Sequence, residues 1–201
     1  EYYDFKKGLD DHTSVGIGGA IVRNGMSPKL VMNIAIAFYV IAALLGLFIA
    51  INSSFWLIPI GLVCMAIGYL YTGGPFPISW TPFGEVFSGI FMGMIIILIA
   101  FFIQTGNLQS LVVWISLPIV ITIGLINMAN NIRDRVKDKE SGRKTLPILL
   151  GKNNSIRFLA LMYIVAYALV IYITFFQPGG SIFFLLALLS FPLPIKAVRR
   201  F

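Results

Sequence analysis

Apolar residues in this chain run together in long blocks, rather than alternating with polar ones at the period of a half-buried strand or of a water-facing helix. Six blocks stand out, at residues 30–51, 55–71, 86–103, 108–128, 158–176 and 182–195. A hydrocarbon layer about 30 Å thick takes roughly 20 mostly apolar helical residues, so each block predicts a membrane-spanning helix, the second and last being short. Polar segments separate the blocks. Residues 1–28 lead into the first; "YTGGPFPISWTPFGE", rich in Gly, Pro and aromatics, joins the second to the third; and a long loop over residues 131–155 joins the fourth to the fifth. No tandem repeat or low-complexity tract interrupts the pattern. Because a backbone in lipid must satisfy its own hydrogen bonds, the fold class is all-α: a single multi-pass helical membrane domain over residues 1–201.

Composition agrees. Of 201 residues, 58% are hydrophobic and only 11% charged, against about 25% charged in a soluble domain. A net charge of +7 in a soluble protein would point to nucleic acid, but here its placement matters more. All 15 Lys and Arg fall within residues 6–29, 133–157 and 196–200. Four predicted spans separate the first group from the second and two separate the second from the third, so every base faces one compartment. The opposite loops, at Asn52, Gln104 and Gln177, carry no charge. The excess of bases marks the shared face as cytoplasmic and the partner as a lipid bilayer, with no nucleic acid. The chain begins at Glu1 rather than Met and reads as a piece of a longer protein. Cys64, the single cysteine, lies within a predicted span and reads as a small buried apolar residue.

The eight acids gather on the basic side, most of them in two clusters. "EYYDFKKGLDD" places Glu1 and Asp4 on one face if helical, with Gly8 loosening the turn before Asp10 and Asp11. "NNIRDRVKDKESGRKTL" packs three acids and six bases into one short stretch, and sets Asn130, Asp134 and Asp138 four apart on one helical stripe. Like charges at that spacing weaken an isolated helix by about 0.2–0.5 kcal/mol, which calls for compensation. A solvated run neutralised by Arg133, Arg135, Lys137 and Lys139 is one account. A shared site is the other: paired carboxylates suit Mg²⁺, which leaves its remaining positions to water and phosphate oxygens, and Arg143 and Lys144 are placed to hold further phosphate oxygens.

"YYDFKKGLD", "GGAIVRNG", "YLYTGGPFPISWTPFGE" and "NNIRDRVKDKESGRKTL" together resemble the UbiA-type intramembrane prenyltransferases, in particular the branch acting on 1,4-dihydroxy-2-naphthoate in menaquinone synthesis. The resemblance covers nearly all of the chain. It implies a bundle of about nine membrane helices, of which this chain holds about six. It implies a first metal-binding motif in which Glu1 stands for an Asp, Asp4 matches, and Asp10 arrives two residues after the position that Gly8 occupies. Asp134 and Asp138 match the second motif. The implied metal set is thus Glu1, Asp4, Asp10, Asp134 and Asp138, with Asp4, Asp10, Asp134 and Asp138 catalytic. Implied substrate contacts come from Tyr2, Tyr3, Arg23, Tyr71, Asn130, Asn131, Arg133, Arg143 and Lys144. The implied activity is Mg²⁺-dependent transfer of a polyprenyl chain from its diphosphate to an aromatic acceptor, with loss of CO₂ and diphosphate, giving demethylmenaquinone. Tyrosine faces, those of Tyr2, Tyr3, Tyr69 and Tyr71, are candidates for stabilising an allylic cation, and equally for an interfacial belt.

Rival readings are a relative acting on 4-hydroxybenzoate or haem, and a secondary transporter of an anionic metabolite. Transporters place ionisable groups at mid-membrane in broken helices; between Lys29 and Asn131 the only charge is Glu85, at the edge of a span. An acid there suits a helix N-terminus. His12 reads as a solvated loop residue, and "GIGGAIVRNG" as a substrate-covering loop in which Arg23 meets phosphate or the membrane surface. Gly89 and Gly93 form a G-x-x-x-G helix-packing face.

Overall fold

A computed structural model describes residues 1–11 and 19–201. His12 and the glycines Gly16 and Gly18 lie outside the described residues. All regular structure among the described residues is helical, and the chain divides into two compact units, Glu1–Ile78 with Glu140–Gly142 and Ser79–Lys139 with Arg143–Phe201. Four helices are long and apolar enough to cross a membrane: Pro28–Asn52, Gly84–Thr105, Ser110–Glu140 and Lys152–Phe176. Leu57–Thr72 and Ile182–Val198 are shorter apolar helices, at the two positions where the sequence pattern is short.

The first unit holds α1 (Tyr2–Lys6), α2 (Pro28–Asn52) and α3 (Leu57–Thr72). Ser27 caps α2 by accepting the Leu30 N–H, and Pro28 occupies the first turn, where its missing N–H costs nothing. At 25 residues, α2 is about 37 Å long and crosses a bilayer with length to spare. Its large side chains point outward, Phe38 and Phe48 each 66% exposed. That surface would be unfavourable in water and is at home in lipid. Cys64, on α3, is half-buried.

The second unit opens with one continuous span built from α4 (Gly84–Gly89), a π turn (Ile90–Ile95) and α5 (Ile96–Thr105). It continues with α6 (Ser110–Glu140), α7 (Leu146–Leu150), α8 (Lys152–Phe176), a 3-10 segment (Ile182–Ser190) and α9 (Pro192–Val198). The G-x-x-x-G face does pack as a helix contact. A Cβ added to Gly89 would meet the Val120 carbonyl oxygen at 2.5 Å, one on Gly93 the Val120 Cα at 3.0 Å, and one on Gly124 the Glu85 carbonyl oxygen at 2.9 Å. Backbone therefore lies against backbone where α4 and its π turn cross α6, an approach only glycine permits. Pro118 sits inside α6 and removes one ladder bond; Thr122 Oγ1 donates to the Pro118 and Ile119 carbonyls one turn away.

The long loop expected over residues 131–155 is mostly helix. Helix α6 runs 31 residues, through the charged motif to Glu140, and α7 and α8 fill most of the rest. Arg, Lys and Glu are strong helix formers, and Lys137 and Lys139 in the last turn oppose the helix dipole favourably. Only residues 141–145 and Gly151 remain as connections. Beneath the motif, Leu125, Met128 and Ile132 of α6 pack on Leu159 of α8 in a buried cluster flanked by Leu146 and Leu150 of α7. This packing anchors one face of α6 and leaves the motif's polar side chains on the others.

Candidate functional site

In the first unit the acidic segment forms one helical turn and a reversal. The Leu9 and Asp10 N–H groups both donate to the Asp4 carbonyl, at 2.8 and 3.4 Å, and Gly8 between them has φ +73°, a left-handed conformation that glycine adopts without strain. The reversal brings the Asp10 backbone onto that of Asp4. Glu1 is engaged differently: its Oε1 accepts the N–H of Gly19 at 3.2 Å and of Ile21 at 2.9 Å, which ties the start of α1 to the far end of the loop. Arg23 is exposed and lies over Gly19.

An aromatic wall stands beside this turn. The Tyr3 and Tyr69 hydroxyls share a hydrogen bond of 2.8 Å, and the Tyr3 ring meets the Tyr2 and Tyr69 rings edge to face, at centroid distances of 5.3 and 5.8 Å. The hydrogen bond with Tyr69, and then burial, push the Tyr3 phenol up to about 12, so it is neutral at physiological pH. Lys7 Nζ donates to the carbonyls of Thr72 and Gly74, at 3.2 and 3.4 Å, and lies 5.8 Å from the Tyr3 ring centroid. Together these contacts hold α1 at the C-terminal end of α3. Between α2 and α3 a groove of about 560 Å³ runs from Glu1, Tyr2, Tyr3 and Tyr69 down to Ala43 and Met65. Tyr71, half-buried, is not part of that lining.

In the second unit, the stripe read from the spacing is real because α6 is helical throughout. Asn130 is exposed, Asp134 half-buried and Asp138 only 4% exposed. An arginine meets each acid. Arg133 grips Asp134 in a two-pronged contact, Nε to Oδ1 at 2.8 Å and Nη2 to Oδ2 at 2.7 Å. Arg143 Nη1 reaches Asp138 Oδ1 at 3.1 Å. The first pair is well exposed and contributes little to stability; the second is nearly buried, where an acid without a counter-charge would be costly. Lys144 is exposed, and its N–H donates to the Trp80 carbonyl at 2.8 Å.

Asn131 points elsewhere. Its Nδ2 donates to Glu85 Oε1 at 2.9 Å, joining the start of α4 to the motif end of α6, so these helices run antiparallel. Glu85 is 7% exposed, and its Oε2 has no hydrogen-bond partner among the described residues. From the sequence Glu85 reads as an acid suited to a helix N-terminus, with a substrate role as the alternative. A lone acid within 100 apolar-rich residues was the available signal, but nothing local names a partner 46 positions away. Trp80, whose ring centroid lies 5.9 Å from the Arg143 guanidinium carbon, falls within one of the quoted motifs but was given no role of its own.

The donor set offers oxygen only, which fits a hard cation of the Mg²⁺ kind rather than a thiolate- or imidazole-loving metal. Asp134 and Asp138, one turn apart and each drawing a guanidinium, form a locus where positive charge is already in demand. Among the described residues no three Asp, Glu, His or Cys side chains gather as a ready-made metal group.

The model of the UbiA prenyltransferase family matches residues 2–201. The chain is 54% identical over 201 residues to the 1,4-dihydroxy-2-naphthoate octaprenyltransferase of Bacillus subtilis (strain 168), covering all of this chain and 64% of that protein. It is 32% identical over 156 residues to the protein of the same name from Mycobacterium leprae (strain TN), covering 75% of this chain and 51% of that one. It is 29% identical over 203 residues to UbiA prenyltransferase domain-containing protein 1 of Danio rerio, covering all of this chain and 59% of that protein. The chain thus spans between half and two thirds of the length of these relatives. No solved structure matches it. A family match along nearly its whole length, on a helical fold with spans long enough to cross a membrane, settles the kinship: this chain belongs to the UbiA prenyltransferase family.

Proposed function

We propose that the full-length protein transfers a polyprenyl chain from its diphosphate to 1,4-dihydroxy-2-naphthoate. The new carbon–carbon bond forms at the ring carbon that loses CO₂, and diphosphate departs with the electrons of the broken C–O bond, giving demethylmenaquinone. The observation that carries this reading is the 54% identity along the entire chain to a protein of that name. In this reading Asp4 and Asp10 of the first motif serve the diphosphate, as do Asp134 and Asp138 of the second. These four acids hold Mg²⁺, with Glu1 supporting the first motif through the loop it ties down. The metal supplies charge neutralisation for the leaving group. Arg143, Lys144 and Arg133 meet phosphate oxygens that the metal leaves uncovered, with Arg23 reaching in from its loop.

Asn131 is held by Glu85 and sets the rotation of α6; Asn130, exposed beside Asp134, is left for substrate. The phenol faces of Tyr2 and Tyr3, with Tyr71 nearby on α3, shield the allylic cation from water. The groove between α2 and α3 starts at Tyr2, Tyr3 and Tyr69 and suits the apolar tail. The site opens on the cytoplasmic face of the cell membrane, a reading supported by the one-sided distribution of the bases.

The test uses the full-length protein in membranes with Mg²⁺, a prenyl diphosphate and each acceptor in turn. Product is expected with dihydroxynaphthoate and not with 4-hydroxybenzoate or haem, and chelation of the metal should remove it. Product with 4-hydroxybenzoate alone would overturn the assignment. In the same assay Tyr3→Phe and Tyr69→Phe should each lower turnover about two- to tenfold, the worth of one hydrogen bond. Because the two hydroxyls bond one another, the double variant should be no worse than the poorer single one.

A further inference from the structure

We propose that Trp80 is a positioning residue for Arg143, keeping that guanidinium beside the second acidic motif whether or not Asp138 is its partner. The proposal rests on the reading that Asp138 serves a metal-bound diphosphate. Its starting point is a difference between the two arginines of the motif. Arg133 and Asp134 are neighbours on one helix with side chains 42% and 38% exposed, whereas those of Arg143 and Asp138 are 14% and 6% exposed. Arg133 has water as an alternative; Arg143 largely does not.

Contacts with Asp138 and with Trp80 hold Arg143. Its N–H donates to the Asp138 carbonyl at 3.0 Å, its Nη1 meets Asp138 Oδ1 at 3.1 Å, and its guanidinium lies 5.9 Å from the Trp80 ring centroid. Trp80 is itself secured to the same short connection, since its carbonyl accepts the Lys144 N–H at 2.8 Å. The backbone of Trp80 is thereby tied to the connection that carries Arg143. A cation drawing on Asp138 competes with Arg143 for the same carboxylate and weakens that contact. The indole contact is spared, because a guanidinium held over an aromatic face needs no lone pair from the acid. Arg143 then stays where a diphosphate oxygen needs a planar, two-pronged donor, and the ordering of a long side chain is met before the ligand arrives.

The test is a double-mutant cycle on the full-length protein in lipid nanodiscs, with magnesium and inorganic pyrophosphate as the probe and titration calorimetry as the readout. Trp80→Leu should weaken pyrophosphate binding about three- to tenfold, as expected for loss of a partly desolvated cation–π contact, while Trp80→Phe recovers most of it. With prenyl diphosphate as substrate, KM should rise by the same factor with kcat within about twofold, the signature of lost ground-state binding. In an Arg143→Met background, Trp80→Leu should add nothing. An equal loss in both backgrounds, or undiminished binding in Trp80→Leu, would overturn the proposal. Fluorinated tryptophan placed at Trp80 weakens the ring face without changing its packing. It must produce a graded loss of its own, so the proposal stays open to refutation even where Trp80→Leu does not accumulate. Asp138→Asn separates the two levels of argument: normal pyrophosphate binding and turnover in that variant would overturn the reading of the site, and this proposal with it.

Discussion

Asparagine at Asp134 or at Asp138 is expected to reduce prenyl transfer by the full-length protein at least about a hundredfold, the scale of losing a ligand to a metal that neutralises a leaving group. The substitution keeps shape and removes charge, so it addresses the metal role directly. The two variants should nevertheless differ in a second measurement. The side chains of Arg133 and Asp134 are 42% and 38% exposed, and severing a pair so open to water changes stability little, so Asp134→Asn should melt with the wild type. Asp138 and Arg143 are nearly buried, and removing one member leaves an uncompensated charge, at a cost of up to about 3–5 kcal/mol. Contact with Trp80 reduces that figure. Asp138→Asn should therefore be both inactive and less stable. Activity measured beside thermal unfolding in detergent checks the pair, and full activity in both variants would remove the metal assignment.

The second large effect concerns assembly. Gly89→Ala should strongly lower the yield of folded protein, because its new Cβ would lie 2.5 Å from the Val120 carbonyl oxygen, a main-chain atom that cannot turn aside. Overpacking a core ordinarily costs about 1–3 kcal/mol, and here two helices must part, so the upper end or beyond is expected. Gly93→Ala, whose Cβ would stand 3.0 Å from the Val120 Cα, should be milder. Gly46→Ala, in α2, with nothing within 4 Å of its Cβ, should be neutral or stabilising by roughly 0.5–1 kcal/mol, as for other open helical glycines. The ranking is checked by comparing the fraction of each variant extracted as monodisperse protein. Equal yields for the Gly89 and Gly46 variants would contradict the close crossing of α4 and α6.

Much of the fold was legible because hydrophobic length in a membrane protein is a direct readout of geometry. Blocks at 30–51, 86–103 and 158–176 correspond to helices Pro28–Asn52, Gly84–Thr105 and Lys152–Phe176. The fourth was cut short at residue 128, where apolar residues stop, although the helix continues to Glu140. Charge was mistaken for irregularity. The spacing of Asn130, Asp134 and Asp138 already had the period of a helix and was the better guide. What could not be read was anything joining residues far apart in the chain. Asn131 to Glu85, Tyr3 to Tyr69 and Trp80 to Arg143 depend on how helices cross, which residue order alone does not encode.

The uninterrupted course of α6 has a mechanical consequence. Asp138 lies 20 residues beyond Pro118 in the same rod, about 30 Å along its axis. A change of roughly 5° in the bend at that proline would swing the acid sideways by about 2.6 Å, more than the length of a magnesium–oxygen bond, near 2.1 Å. The reach of the charged end of α6 is thus set by the bend at a proline in its apolar part.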